Sequence, residues 1–144
     1  MEKQPQFPFA PKDFARCLNA TCPRSQNCLR RTAALQDTDE HLFLKVVNPL
    51  RYPKEGEECK LFRSTDKVRM AWGVTHLLDN VPYKEGSLLR NMIINHLGRN
   101  QYYRCFRKER PFSPQDQQTI RLLFRQRGIS EEPSFDYYTN EFNW

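Results

Sequence analysis

Apolar residues fall into short clusters between prolines, glycines and charged turns, and only the stretch after Pro82 keeps a helical period for long. There Leu88, Leu89, Met92, Ile93 and Leu97 recur at spacings of three and four, which predicts a helix capped by Ser87, running through His96 and stopped by Gly98. Asn100 is placed to cap a second, short helix from Gln101 to about Lys108. Ser113-Pro114 opens a third, on which Gln117, Ile120, Leu123 and Phe124 lead to a stop at Gly128.

Upstream the pattern is weaker. Prolines at 5, 8 and 11 exclude helix from the first dozen residues and predict an extended segment. Thr21-Cys22-Pro23 reads as the mouth of a helix reaching about Gln36, with Leu29, Ala33 and Leu35 as its apolar face, Cys22 at its start and Cys28 inside it. Imperfect alternation over His41 to Val47, and again over Lys60 to Arg63, predicts two short strands with a turn at Lys54 to Glu58 between them. Asp66 to Asp79 reads as a helix capped at Asp66, or as a strand through Val68 to Val74, since Gly73 weakens the helical reading. Aromatic residues Phe135, Tyr137, Tyr138, Phe142 and Trp144 alternate with acids at the end of the chain, where they can pack back on the body or form a partner-binding strip. The expected organisation is an N-terminal cysteine-rich module with short strands (1–66), a helical bundle (67–129) and an acidic aromatic tail (130–144).

Charge changes this picture. The net formal charge of +6 is not spread evenly: residues 84–129 carry 10 Lys/Arg against 3 Asp/Glu, whereas residues 130–144 carry none against 4. A basic segment followed by an acidic one is the footprint of a polyanion-binding module, and equally of a solvated basic face. The acidic tail could also cover the basic segment when no polyanion is bound.

Four of the five cysteines sit at Cys17, Cys22, Cys28 and Cys59. No secretory leader is recognisable in the first thirty residues and no apolar run approaches the ~20 residues of a bilayer helix, so a cytoplasmic protein without a membrane span is expected. In a reducing compartment thiols stay free or bind metal. Four thiolates close a tetrahedral zinc site or hold a 4Fe-4S cluster; otherwise they are small buried hydrophobes. Zinc is the favoured reading, although the C-x2-C of zinc ribbons is absent. Cys22-Pro23-x4-Cys28-Leu29 is similar to part of the iron-sulfur site of WhiB-type regulators, which implies the cluster alternative and a redox sensor.

Two resemblances bear on the rest. Residues Leu97 to Pro114 resemble the second half of a lambda-repressor-type helix-turn-helix, in which a recognition helix is followed by a basic turn and a Ser/Thr-Pro start to the next helix. The pattern departs at Lys108, where that family usually has glycine; a non-glycine residue there argues against a left-handed exit turn, or makes such a turn cost more. Over nearly its full length the chain also resembles a family of small uncharacterised Bacteroidales proteins, through Cys22-Pro23 to Arg30, Ala71-Trp72-Gly73, Tyr102-Tyr103-Arg104 and the segment from Pro133 to Trp144. That likeness implies a shared fold and no activity.

The helix-turn-helix resemblance implies roles. A helix from Gln101 turns Tyr102, Cys105 and Phe106 to the core and Gln101, Tyr103, Arg104, Arg107 and Lys108 outward. Gln101, Tyr103 and Arg104 would then reach base edges, while Arg99, Arg107, Lys108 and Arg110 would hold phosphates. Alternatively Tyr102 and Tyr103 form a stacking platform for a single strand. His41, His76 and His96 lie in unrelated settings, and no Ser-His-Asp order, GxGxxG, P-loop or HExxH occurs. The expectation is therefore an α+β, mainly helical protein: a cysteine-ligated, β-containing N-terminal module and a helix-turn-helix-like bundle. Its expected function is non-enzymatic binding of double-stranded DNA, as a homodimer. The alternative is a protein-interaction module whose basic face is incidental.

Overall fold

The computed structural model describes residues 8–36 and 41–144. Among them it has mixed α/β architecture, with four α-helices and one two-stranded antiparallel sheet. The chain divides into two compact units, residues 1–66 with Phe142–Trp144, and Lys67–Glu141. Residues 1–7 of the proline-rich segment for which an extended course was expected lie outside the described residues.

The first unit is held by loops more than by regular elements. The helix expected from Pro23 breaks into a 3-10 turn, Ser25–Asn27, and helix α1, Leu29–Gln36, with Cys28 between them in an extended conformation. A tertiary partner overrides helical continuity here. Cys28 bridges Ser64, the Leu29 amide donates to the Arg63 carbonyl at 2.7 Å, and Thr32 caps back onto the Cys28 carbonyl. Leu29 and Ala33 are buried with Ala10 and Phe14, and Phe142 and Trp144 pack against them. Leu35, by contrast, is exposed.

Neither strand expected in this unit forms. His41 to Val47 makes a single bridge, Arg16 to Val46, and Leu42 and Phe43 are 96% and 92% exposed, so the alternation has no second face to bury. Lys60 to Arg63 is a turn. The turn between them is present: the Glu57 amide donates to the Lys54 carbonyl, and Gly56 takes the left-handed φ of 82° that the turn needs.

The second unit begins with β1, Lys67–Trp72, so the strand reading of this segment holds and the helical one does not. Gly73 ends it at φ 77°, where a Cβ would run into the Asp136 carboxylate. Helix α2, Tyr83–Leu97, starts four residues before Ser87. Its cap position is Pro82, and Gly86 is buried in the first turn, next to Val81 and Leu78. Gly98, at φ 85°, is both the end of α2 and the cap of α3, Arg99–Phe106. Asn100 therefore lies inside α3, and one residue makes the turn between the helices. Helix α4, Pro114–Gln126, has the expected start: Ser113 and Asp116 form a reciprocal capping box, with proline in the first turn.

The core of this unit collects Ala71, Leu89, Ile93, Tyr102, Cys105, Phe112, Ile120 and Phe124, with Phe135 packed against it. Strand β2, Tyr137–Phe142, closes the sheet on β1. Trp72 stacks on Tyr137 and donates its indole N–H to Thr139 at 2.7 Å. No described helix is long and apolar enough to cross a membrane.

Candidate functional site

In the first unit, Arg30 of α1 gathers the loops that carry the cysteines. Its Nε donates to the Leu61 carbonyl at 2.7 Å and one terminal nitrogen to the Ala15 carbonyl at 3.0 Å, while its own carbonyl accepts from the Cys17 amide at 2.9 Å. One side chain thus ties together the neighbourhoods of Cys17, Cys28 and Cys59. Cys22 and Cys59 each open a turn, with the Ser25 and Phe62 amides returning to their carbonyls. The guanidinium of Arg24, in the first of these turns, sits 3.5 Å over the Phe62 ring of the second.

The result is one small cavity of about 30 Å3, walled by Cys17, Cys22, Cys28 and Cys59 together with Arg30, Arg31 and Arg51. Among the described residues, no carboxylate lines it. Burial, and then Arg63, pull the Arg30 guanidinium below its ordinary value; the thiols of Cys28, Cys59 and Cys17 oppose this. All four cysteines predicted to act together share this cavity, and all are free thiols. Among the described residues, no group of three or more His, Cys, Asp or Glu is gathered closely enough to hold a metal ion. Nothing in the spacing of the cysteines indicated that Arg30 would organise them.

In the second unit the predicted contact residues have diverse surroundings. Arg107 grips Glu109 with two hydrogen bonds, at 2.7 and 3.3 Å, and this holds the Glu109 carboxyl below its ordinary range. Lys108 pairs with Asp136 at 3.2 Å. Arg110 donates to the Gln101 side-chain oxygen at 2.9 Å. Arg99 lies 5.7 Å from the Tyr103 ring centre, and Arg104 is exposed. Tyr102 and Cys105 are buried as expected, and burial raises the pKa of both, so Cys105 is a core thiol. Phe106 is 53% exposed, contrary to expectation, because α3 ends there and Arg107 turns away before another packed turn forms.

A further residue joins this face from α2. Arg90 donates to the Tyr103 hydroxyl at 3.4 Å, which raises its own pKa. Its sequence signal was its place beside Leu89, one step off the apolar stripe. Among the cations of residues 84–129, Arg107, Lys108, Arg121, Arg125 and Arg127 are matched by carboxylates. Among the described residues Lys84, Arg90, Arg99, Arg104 and Arg110 are not, and three of the arginines touch Tyr103 or Gln101. Apart from Lys84 in the first turn of α2, the positive charge left over after internal pairing thereby lies around α3 and the α2 residue Arg90 that reaches it. The histidines are ordinary: His76 bonds Asp79 at 2.7 Å, and His96 lies 3.5 Å from Asp116.

These features define a mixed α/β protein with a four-thiol cavity in one unit and an arginine–tyrosine face in the other. A family model described as "Family of unknown function (DUF6078)" matches residues 1–144, and the chain belongs to that family. No curated protein and no solved structure matches it.

Proposed function

We propose that this protein binds nucleic acid without catalysis, through the α2–α3 face of its second unit. The observation that carries this reading is the segregation of charge: Arg90 and Arg99 lie against Tyr103 and Arg110 against Gln101 with no carboxylate partner among the described residues, while Arg107, Lys108, Arg121, Arg125 and Arg127 are paired with Glu85, Glu109, Glu132 and Asp136. Arginines without a carboxylate partner are available to phosphates, and flanking rings offer bases a stacking surface. A cleft lined by Tyr83, Ser87 and Arg90 adjoins the face, with a volume of about 330 Å3.

The helix-turn-helix version places α3 in a major groove as a recognition helix, in a cytoplasmic homodimer on double-stranded DNA. The occupied oxygen of Gln101 and the packing of Tyr103 among Arg90, Arg99 and Tyr102 favour phosphate holding and stacking over reading of base edges. The acidic residues near the C-terminus belong to the fold in this view. Glu132 pairs with Arg121 and Arg125, and Asp136 with Lys108, so they restrict where free positive charge remains.

Fluorescence anisotropy of duplex and single-stranded DNA across a salt series tests the reading. Affinity should fall linearly with log salt. Arg90→Ala/Arg104→Ala should flatten that slope by about 1.8 on duplex, or about 1.4 on a single strand, if each arginine holds one phosphate. Arg121→Ala, whose partner is Glu132, should change it far less. No binding at low salt by a folded sample would overturn the proposal and leave the exposed rings of Tyr83 and Phe106 as a protein-docking surface.

A further inference from the structure

We infer that Cys17, Cys22, Cys28 and Cys59 form a four-thiolate site for a single zinc ion in the first unit. The inference is independent of nucleic-acid binding. Four thiols from segments as far apart as residues 17 and 59 reach one cavity because specific contacts bring them there: the Arg30 clip, the Cys28–Ser64 bridge, and the Arg24–Phe62 contact between two cysteine turns. Hydrophobic packing of small residues does not require such devices. The lining also suits an anionic metal site: among the described residues Arg30, Arg31 and Arg51 line the cavity and no carboxylate does, whereas four thiolates around a divalent ion carry a net charge of about −2.

Size selects the ion. A volume of about 30 Å3 holds a water or two, and so a single ion. A 4Fe-4S cluster brings eight heavy atoms of its own, so it would require the loops to open where a single ion requires them to draw in. The thiols must still close in, since they are not gathered within ligating distance of one another. Cys17, Cys22 and Cys59 are only half-buried and lie in loops or turns, so the assignment requires these segments to draw in to a Zn–S distance of about 2.3 Å.

The test uses the full chain, purified under reducing conditions. Elemental analysis should find about one zinc per chain, and exchange into Co2+ should give the visible bands of a tetrahedral ion with intense sulfur-to-cobalt charge transfer. Cys22→Ser and Cys59→Ser, at half-buried turn positions, should lose most of the charge-transfer intensity; Cys105→Ala, in the core of the other unit, should keep it. Because the cobalt spectrum is read on the wild type, the test does not depend on the variants folding. Absence of both zinc and a cobalt charge-transfer band in the folded, reduced wild type would overturn the assignment. So would iron with acid-labile sulfide, which requires a cluster, or a mass showing two disulfides in place of metal.

Discussion

Lys108 is the one described residue other than glycine with a left-handed backbone, at φ 61°. The exit turn that the helix-turn-helix resemblance associates with glycine is therefore made here by lysine, at a cost of roughly 1 kcal/mol relative to glycine. Asp136 offsets part of it. Its carboxylate takes the Lys108 ammonium, the Thr75 hydroxyl at 2.7 Å and the Thr75 amide at 3.1 Å, at a position Gly73 leaves open. The partly exposed pair contributes less than 1 kcal/mol. Lys108→Gly thus loses the pair and sheds the strain, whereas Lys108→Ala loses the pair and keeps the strain. Urea unfolding should find the alanine variant less stable than the glycine variant by about 1 kcal/mol. Equal stability would mean that the left-handed backbone is not costly at this position.

At the scale of elements, the start of α4 and the glycine stops were legible in local chemistry, the caps read at Ser87 and Asn100 fell inside their helices, and features set by distant partners were not legible. Ser113-Pro114 specifies the start of α4 as read, and the structure adds Asp116, which closes a capping box with Ser113. Ser113→Ala should cost about 1 kcal/mol in thermal or urea unfolding. Glycines 98 and 128 mark helix ends for the same local reason, their left-handed φ. The helix expected through Cys28 failed because that residue bridges Ser64, a partner 36 positions away that no periodicity announces. Val68 to Val74 was ambiguous because its apolar spacing suits either period. β2, which lies some seventy residues downstream, settles it as strand. The candidate sites divide in the same way. Composition identified the cysteines and the basic segment, but Arg30 and Arg90 matter through folded contacts alone.

For the whole molecule, the end of the chain serves both units. Tyr137–Glu141 completes the sheet of the second, while Phe142 and Trp144 join the apolar cluster of the first, where Trp144 meets Phe14 edge-on at 5.2 Å and the Asn143 carbonyl accepts from Arg63. Removing Phe142–Trp144 should destabilise the first unit by on the order of 3 kcal/mol. Hydrogen exchange should show it as lost protection across α1, and removal back to Asp136 should open β1 as well. Unchanged exchange in α1 after the short truncation would show that these rings add nothing. The same arrangement sets the order of events during synthesis. Phe142 and Trp144 follow the cysteine-bearing segment by the whole second unit, so the earlier-made thiols wait in an unfinished unit until Lys67–Glu141 has been translated. A chain halted before Phe142 would have its older part as its less complete one.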